Sequence, residues 1–111
     1  MNEYNPDNWV VIKLTSEKYG TVYKILAGWS GGYATGDSWR MNSGITRHEF
    51  DGDYWYFYGS SGSCYKCYVD SYGLRTNNAH IWAQLQERHG DKVEMLEDQA
   101  WIKEDWDWII K

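Results

Sequence analysis

The aromatic content constrains the fold of this chain more than any other feature. Eight Trp and ten Tyr occur in 111 residues, against only seven Ile, five Val and five Leu. So few aliphatic residues, together with a net charge of −5, would ordinarily predict disorder. Each large aromatic side chain, however, can bury on the order of 150–250 Å². We therefore expect an aromatic core, in a chain whose length suits a single domain over residues 1–111.

The number of aromatic rings also bears on self-association. One small core cannot enclose every Trp and Tyr ring, so the surplus is expected on a binding face or a subunit interface. Symmetric contacts between identical chains are the commonest way to cover such a surface. The sequence therefore predicts a homo-oligomer, either a dimer or a higher assembly.

Charge and cysteine usage exclude several classes of protein. The net charge of −5 argues against general nucleic-acid binding, because proteins of that class carry a basic face. The N-terminal sequence MNEYNPDNW lacks the basic and apolar regions of a signal peptide. No apolar run approaches the roughly 20 residues that cross a bilayer. Cys64 and Cys67 are the only cysteines, so we expect a cytoplasmic protein with reduced thiols and no membrane association.

Runs of β-branched and aromatic residues predict strands. Trp9–Thr15 and Thr21–Gly28 should form an antiparallel hairpin around the turn SEKYG. Between Gly28 and Gly36 the density of glycine predicts a long ordered loop. The segments SWRMNSG, GITRHEF, DYWYFY and CYKCYVD predict further strands. The Asp-Gly pair at 51–52 is typical of a type I′ turn between two of them.

The segment YWYFY alternates in a way that assigns its two faces. Trp55 and Phe57 lie on one face of the predicted strand and are expected in the core. Tyr54, Tyr56 and Tyr58 lie on the other face. This row of hydroxyl groups is expected to face either a helix or a ligand.

The clearest helix is TNNAHIWAQLQERHG, over about residues 77–89. Thr76 or Asn77 can cap its start, and Gly90 can end it in the left-handed conformation. Its apolar stripe consists of Ile81, Trp82 and Leu85.

The end of the chain is less regular. DKVEML predicts a short strand, whereas QAWIKEDWDWIIK fits both helical and strand spacing, and we favour a helical turn followed by a closing strand. Together the elements predict an α+β fold, in which an antiparallel β-sheet of about five to six strands carries the helix on one face.

Two glycine- and serine-rich segments, Gly28–Gly36 and Gly59–Ser63, flank the densest run of Trp and Tyr. Small residues let a backbone approach a ligand closely, aromatic rings offer stacking surfaces, and arginines pair with anions. If both segments open at the same end of the sheet, they form a pocket with aromatic walls and cationic corners. The predicted ligand-binding residues are Trp29, Ser30, Gly31, Gly32, Tyr33, Trp39, Arg40, Arg47, Tyr54, Tyr56, Tyr58, Ser60, Ser61 and Lys66. No catalytic residue, metal ligand or cofactor is expected.

Two short motifs permit other interpretations. GWSGG matches the nucleophile elbow of hydrolases, but a helix must follow that elbow at once, and YATGDSW follows here. Cys64 and Cys67 resemble half of a zinc or redox site, but on a strand they point to opposite faces, and the sequence holds no second such pair. A Gly/Ser turn and a core cysteine are the favoured interpretations, and GSSGS by itself is typical of a plain hairpin loop.

Short length, acidity, richness in Trp and Tyr, and the lack of an export signal or catalytic signature resemble the small accessory and counter-defence proteins of tailed phages. Several such proteins sequester nucleotide second messengers or block a host protein. The resemblance is one of type, over the whole chain, and no residue motif carries it. It implies a phage-encoded protein in the host-cell cytoplasm.

The leading hypothesis is therefore a non-catalytic binding protein that sequesters a small anionic, nucleotide-like ligand. Arg40, Arg47 and Lys66 would neutralise its phosphate, and backbone N–H groups of the Gly/Ser segments would complete the site. The alternative is a protein-binding inhibitor of a host enzyme that docks through an exposed aromatic and acidic surface. A hydrolase built on Ser30 is the least supported of the three classes.

Overall fold

The structure is a computed structural model that describes residues 2–18, 20–32 and 36–104. In this part of the chain it has eight strands and one α-helix. The elements are β1 (Glu3–Tyr4), β2 (Asn8–Ser16), β3 (Gly20–Gly32), β4 (Gly36–Met41), β5 (Ile45–Phe50), β6 (Tyr54–Gly59), β7 (Cys64–Tyr68), α1 (Thr76–His89) and β8 (Val93–Met95). None of the described helices is long and apolar enough to cross a membrane.

The strands form two four-stranded sheets, and the helix covers one of them. Sheet I has the order β1-β7-β6-β5, and sheet II has the order β4-β3-β2-β8. All neighbouring strands pair antiparallel except β1 and β7, which pair parallel. Helix α1 contacts β3, β4 and β8 of sheet II. The order of layers is therefore sheet I, sheet II, helix.

The sequence of β2 reflects its position between two apolar layers. Trp9 and Val11 face sheet I and belong to the core between the sheets, whereas Val10 and Ile12 face the helix and pack with Ile81. A strand buried on both faces needs apolar residues at consecutive positions, because neighbouring side chains point to opposite faces. This requirement explains the continuous run WVVI.

The core between the sheets is aromatic, as the composition predicts. Trp9 lies at its centre, with ring centroids 5.4 Å from both Phe57 and Trp101 and 4.8 Å from Tyr72. Trp101 is fully buried and stands in a 3₁₀ turn at Ala100–Lys103, which closes the core from outside both sheets. Aromatic pairs at such distances stabilise a core beyond the area that they bury.

Most of the predicted elements are confirmed. The hairpin pairs β2 with β3, and Trp55 and Phe57 point into the core, while Tyr54, Tyr56 and Tyr58 are half-buried on the other face. The helix, the short strand β8 and the helical turn near residue 100 lie where the sequence predicts them. The α+β class is also confirmed, although the strands divide between two sheets instead of forming one. The predicted closing strand falls on residues 105–111, which lie outside the described residues.

The predicted loop between Gly28 and Gly36 is wrong for Gly28 to Gly32, and residues 33–35 lie outside the described residues. Strand β3 continues to Gly32, and β4 begins at Gly36. Gly28 serves packing, because a Cβ atom there would lie only 2.0 Å from Asn77 Oδ1. Gly31 has a φ of +78° at the register shift between Trp29 and Gly32, which is the position of a β-bulge.

Two details of turns and caps also differ from expectation. A type I′ turn needs positive φ at both central residues. At this turn only Gly52 has a positive φ, since the one described non-glycine residue with positive φ is Gln99, which lies elsewhere in the chain. The cap of the helix is Arg75, whose backbone N–H donates to Asn78 Oδ1 at 3.0 Å. Gly90 ends the helix with φ 58° and ψ −126°, outside the left-handed helical region.

Candidate ligand-binding site

The fold divides the predicted site residues between the two sheets. One group lies in β3 and β4 of sheet II: Trp29, Ser30, Gly31, Gly32, Trp39 and Arg40. The other group lies in β5, β6, β7 and the β6–β7 turn of sheet I: Arg47, Tyr54, Tyr56, Tyr58, Ser60, Ser61 and Lys66. Tyr33 lies outside the described residues.

The described residues of the first glycine-rich segment, Gly28–Gly32, lie apart from the second segment, Gly59–Ser63. In the β6–β7 turn, the Ser60 N–H donates to the Gly44 carbonyl at 2.9 Å. A Cβ atom at Gly44 would lie 3.3 Å from Val22 Cγ1, which places this turn beside the start of β3. Gly28 follows Val22 by six residues in the same strand, or roughly 20 Å at the usual rise of a strand. The described residues of the two segments therefore do not line one pocket.

The tyrosines of β6 form part of a flat surface that we call the tyrosine face, made of Tyr54, Tyr56, Tyr58, Tyr68, Arg47 and Lys66. The Arg47 guanidinium lies 3.7 Å from the centroid of the Tyr58 ring, and the Lys66 ammonium lies 4.4 Å from that of Tyr54. Arg47 also forms an ion pair with Glu49. These cations are therefore already engaged by rings and by a carboxylate.

Tyr56, in the middle of the tyrosine face, is held by a carboxylate. Its hydroxyl donates to Asp51 Oδ2 at 2.9 Å, and this hydrogen bond is the main reason that the pKa of Tyr56 is raised to about 12. Hydrogen bonds from the backbone N–H groups of Tyr54 and Asp53 lower the pKa of Asp51. The hydroxyl thus stays protonated, and the Asp51 carboxylate stays charged at neutral pH.

In sheet II, Arg40 and Trp29 converge on Tyr4. The Arg40 guanidinium lies 4.6 Å from the centroid of the Tyr4 ring, and the Trp29 ring meets the same ring edge-on at 6.4 Å. Trp29 Nε1–H donates to the Asn5 carbonyl at 3.0 Å. These predicted ligand-binding residues hold the N-terminal segment against the sheets.

A buried cluster of asparagine amides, which was not among the predicted site residues, joins the start of the helix to β2 and β3. Asn77 Nδ2 donates to Asn8 Oδ1 at 2.7 Å and to Ser30 Oγ at 2.9 Å. Asn8 Nδ2 donates to Asn78 Oδ1 at 3.2 Å, and Asn78 Nδ2 donates to the Leu26 carbonyl at the same distance. The pair Asn-Asn at the start of a helix is the sequence signal for this cluster, since asparagine favours helix starts.

The arrangement around Ser30 does not form a nucleophile elbow. Ser30 lies within β3, which continues for two further residues, whereas the elbow requires a strand-to-helix turn at the serine. Its Oγ accepts a hydrogen bond from Asn77, and its backbone N–H donates to Asp7 Oδ2 at 2.8 Å. These contacts describe a structural serine.

Both cysteines are free and buried. Burial raises the pKa of the Cys64 thiol and raises that of Cys67 well above its usual value. A protonated thiol is a poor nucleophile and a poor metal ligand. In the described part of the chain, no group of three His, Cys, Asp or Glu side chains is placed to hold a metal ion.

An open groove of about 500 Å³ lies where the helix stops covering sheet II, and we call it the lysine groove. Leu14 and Val22, which pair across β2 and β3, form its apolar floor beyond the last residue of the helix, His89. Lys24 lies on the same face of β3 as Val22, two residues further on. The remaining lining residues are Thr15, Ser16, Glu17, Lys18, Gly20 and Lys92.

The lysine groove is a local concentration of positive charge in an acidic protein. Three lysines and His89 line it, against one carboxylate, that of Glu17, whereas the whole chain has a net charge of −5. Lys18 and Lys24 belong to the same β2–β3 hairpin, whereas Lys92 is distant in the sequence and is brought to them by the packing of the end of the helix. No local motif marks this site.

A smaller apolar groove of about 130 Å³ lies between the helix and strand β4, and we call it the edge groove. Trp39, Met41, Ile81 and Leu85 supply its apolar surface, and Gln84 and Arg88 complete it. Trp39 is 43% exposed and belongs to this groove, away from the tyrosine face.

The lysine groove, the edge groove and the tyrosine face differ in shape and charge. The lysine groove combines concave shape with positive charge, the edge groove is apolar, and the tyrosine face is flat with its cations engaged. Comparison of the chain with protein-family models, with curated proteins and with solved structures gave no match.

Proposed function

We propose that this protein is a non-catalytic binding protein that sequesters a small anionic ligand of the nucleotide class in the lysine groove. The observation that carries the proposal is the convergence of Lys18, Lys24 and Lys92 around an apolar floor in a chain of net charge −5. The site differs from the pocket that the sequence predicts, while the class of ligand is the same. A compact ammonium group suits a phosphate oxygen as a point charge and a hydrogen-bond donor.

The geometry of the groove suggests how the ligand would lie. The half-buried side chains of Leu14 and Val22 would contact the apolar ring of the ligand. Lys24 and Lys92 would contact its phosphate from either side. The C-terminus of α1 at His89 carries partial negative charge, so the ammonium groups must outweigh it for an anion to bind.

The surroundings of the usual nucleophiles support a non-catalytic role. Ser30 is held in a strand by Asn77 and Asp7, and the buried thiols of Cys64 and Cys67 stay protonated. The resemblance in type to small phage accessory proteins suggests that the biological role is sequestration of a nucleotide signal inside the host cell.

The first experiment is a thermal-stability screen against a panel of mono-, di- and cyclic nucleotides and inorganic phosphate, followed by calorimetric titration of the compounds that stabilise the protein. A ligand that binds only the folded state raises its stability by about 2.7 kcal/mol at a hundredfold excess over Kd. Lys24→Gln and Lys92→Gln should each weaken binding about threefold to tenfold, because exposed charge-assisted contacts contribute less than buried ones.

The matched controls are Arg40→Gln, Arg47→Gln and Lys66→Gln, which remove cations on other surfaces. These variants should bind with wild-type affinity if the ligand lies in the lysine groove. Loss of affinity in the controls, with Lys24→Gln and Lys92→Gln unaffected, would place the ligand elsewhere. A panel in which no compound changes the melting temperature would contradict an anionic ligand of this class.

The second candidate function is inhibition of a host enzyme through the tyrosine face. Tyr and Arg are enriched at protein interfaces, and Tyr68 is 40% exposed on this face. The double variant Tyr54→Ser/Tyr58→Ser should no longer bind a purified host protein that the wild type binds. Equal binding by the double variant would exclude the tyrosine face as the contact.

A further inference from the structure

In the described part of the chain, strand β4 is an edge of sheet II that is long enough to pair with another strand. It is six residues long, and its sequence GDSWRM contains neither Lys nor Pro. Strand β4 also carries Asp37 and Arg40, and its register against β3 shifts between Trp29 and Gly32, but Ser38–Met41 pair with β3 without interruption; of the other edge strands, β1 has two residues, β8 has three, and β5 has a register shift near its start. An open edge of this kind is a template for another strand.

The hydrogen bonds between β3 and β4 determine which backbone groups point outward. Asn42 N–H donates to the Ile25 carbonyl at 3.2 Å, so this pair has its backbone groups between the strands. Hydrogen-bonded and non-hydrogen-bonded pairs alternate along an antiparallel ladder. Arg40 and Ser38 therefore also point their backbone groups towards β3, while those of Trp39 and Met41 point to the open edge.

The same two residues line the edge groove. The side chains of Trp39 and Met41 lie beside Ile81 and Leu85 on the helix side of sheet II. A residue on an incoming strand directly opposite Trp39 would have its side chain on this side too, because paired residues share a face. The residues whose backbone groups point outward are thus the same residues that line the apolar groove, so one added strand could use both.

We propose that a second copy of this chain docks at this edge, with β4 antiparallel to the partner's β4 around a twofold axis at Trp39. The groove favours a large apolar side chain, and the edge itself presents one, since Trp39 is 43% exposed. The edge is therefore complementary to itself, which is the requirement of an isologous interface. Sheet II becomes one continuous sheet of eight strands across the dimer.

More than one register pairs the outward-pointing residues of β4 with those of the partner's β4, and these registers differ in their side-chain contacts. An axis at Arg40 would place Arg40 opposite the partner's Arg40, and two like charges opposite each other destabilise a strand pair. An axis at Ser38 would leave Met41 beyond the end of the partner's β4. With the axis at Trp39, Met41 pairs with the partner's Asp37 and Arg40 with the partner's Ser38, so residues 37–41 are all paired without like charges.

The first test is the molar mass of the wild type by light scattering and sedimentation over a wide range of concentration. We expect a dimer that dissociates on dilution, and Trp39→Lys should weaken dimerisation at least tenfold. Ile102→Lys is the matched control, because it changes an apolar side chain that is 52% exposed and lies away from β4. Circular dichroism checks that both variants are folded.

A monomer mass up to about 1 mM, the weak end of specific affinity, would overturn the proposal. A dimer that persists in Trp39→Lys but is lost in Ile102→Lys would also overturn the proposal.

Disulfide cross-linking tests the register independently of affinity. Ser38→Cys and Arg40→Cys should cross-link to each other when the two variants are mixed and oxidised, and the buried Cys64 and Cys67 should add little background. Neither variant should cross-link efficiently alone. Efficient cross-linking of Ser38→Cys alone would place the axis at Ser38 and overturn the proposed register, and cross-linking of Arg40→Cys alone would place it at Arg40.

Discussion

Asn77 lies directly against the backbone of Gly28, so that a Cβ atom on residue 28 would come within 2.0 Å of the Asn77 side-chain oxygen. Asn77 cannot easily move away, because its amide nitrogen donates to Asn8 and Ser30. This contact joins the first turn of α1 to the middle of β3. It gives Gly28, the first glycine of the GWSGG motif, a packing role.

The first prediction concerns this contact. Gly28→Ala should lower the free energy of unfolding by about 1–3 kcal/mol, because the added methyl group overlaps a side chain held by hydrogen bonds. Chemical denaturation measures the effect. Gly59→Ala is the control, since a Cβ there would meet Ser43 Oγ at an ordinary 3.4 Å. In an Asn77→Ala background the cost of Gly28→Ala should shrink, and strict additivity of the two changes would contradict the assigned clash.

The second prediction concerns the aromatic core. Trp101→Ala should cost about 3–5 kcal/mol of stability, because Trp101 is fully buried against Trp9, Trp55 and Phe57. Trp82→Ala should cost less, since Trp82 is only half-buried against the helix side of sheet II. Denaturant titration of both variants makes the comparison. Equal losses, or a loss below about 1 kcal/mol at Trp101, would exclude Trp101 as a core residue.

The third prediction concerns pH. Tyr23 donates a hydrogen bond to Glu104 at 2.5 Å, and Lys13 forms an ion pair with the same carboxylate at 3.0 Å. Both contacts lower the pKa of Glu104 in the folded state, and the hydrogen bond from Tyr23 contributes most. A carboxyl whose folded pKa is lowered stabilises the fold above its unfolded pKa, and that stabilisation is lost as the pH falls through the folded pKa.

The measurement is the stability of the wild type minus that of Glu104→Gln between neutral pH and about pH 3, which spans the usual range for a carboxyl. The difference should be positive at neutral pH and should decrease as the pH falls below about 5. A difference that stays constant over the whole range would rule out the charged form of Glu104 as the source. Glu87→Gln provides a control, as it removes an exposed carboxylate of α1.

The fourth prediction concerns thiol reactivity. Cys67 is fully buried, Cys64 is nearly so, and burial raises the pKa of both thiols. Neither should react with a thiol-specific chromogenic reagent at neutral pH over minutes in the native protein, and both should react at once in denaturant. Rapid labelling of one thiol in the folded state would show that its side chain is accessible.

Local periodicity determined a large part of this fold from the sequence alone. The alternation in YWYFY assigned Trp55 and Phe57 to the core, and the spacing of Ile81, Trp82 and Leu85 located the inner face of the helix. Both patterns repeat within a few residues, so the side-chain directions of a strand or a helix suffice to read them. The excess of Trp and Tyr over aliphatic residues likewise predicted the aromatic core around Trp9.

Only the tertiary structure decided how the strands divide into two sheets and which polar residues come together. The described residues of the two Gly/Ser segments do not line one pocket, because the β6–β7 turn lies beside the start of β3, while Gly28–Gly32 lies at its other end. The lysine groove joins Lys18, Lys24 and Lys92 through strand pairing and the end of the helix. Contacts between residues distant in the sequence depend on packing between layers, and no local pattern of residues predicts them.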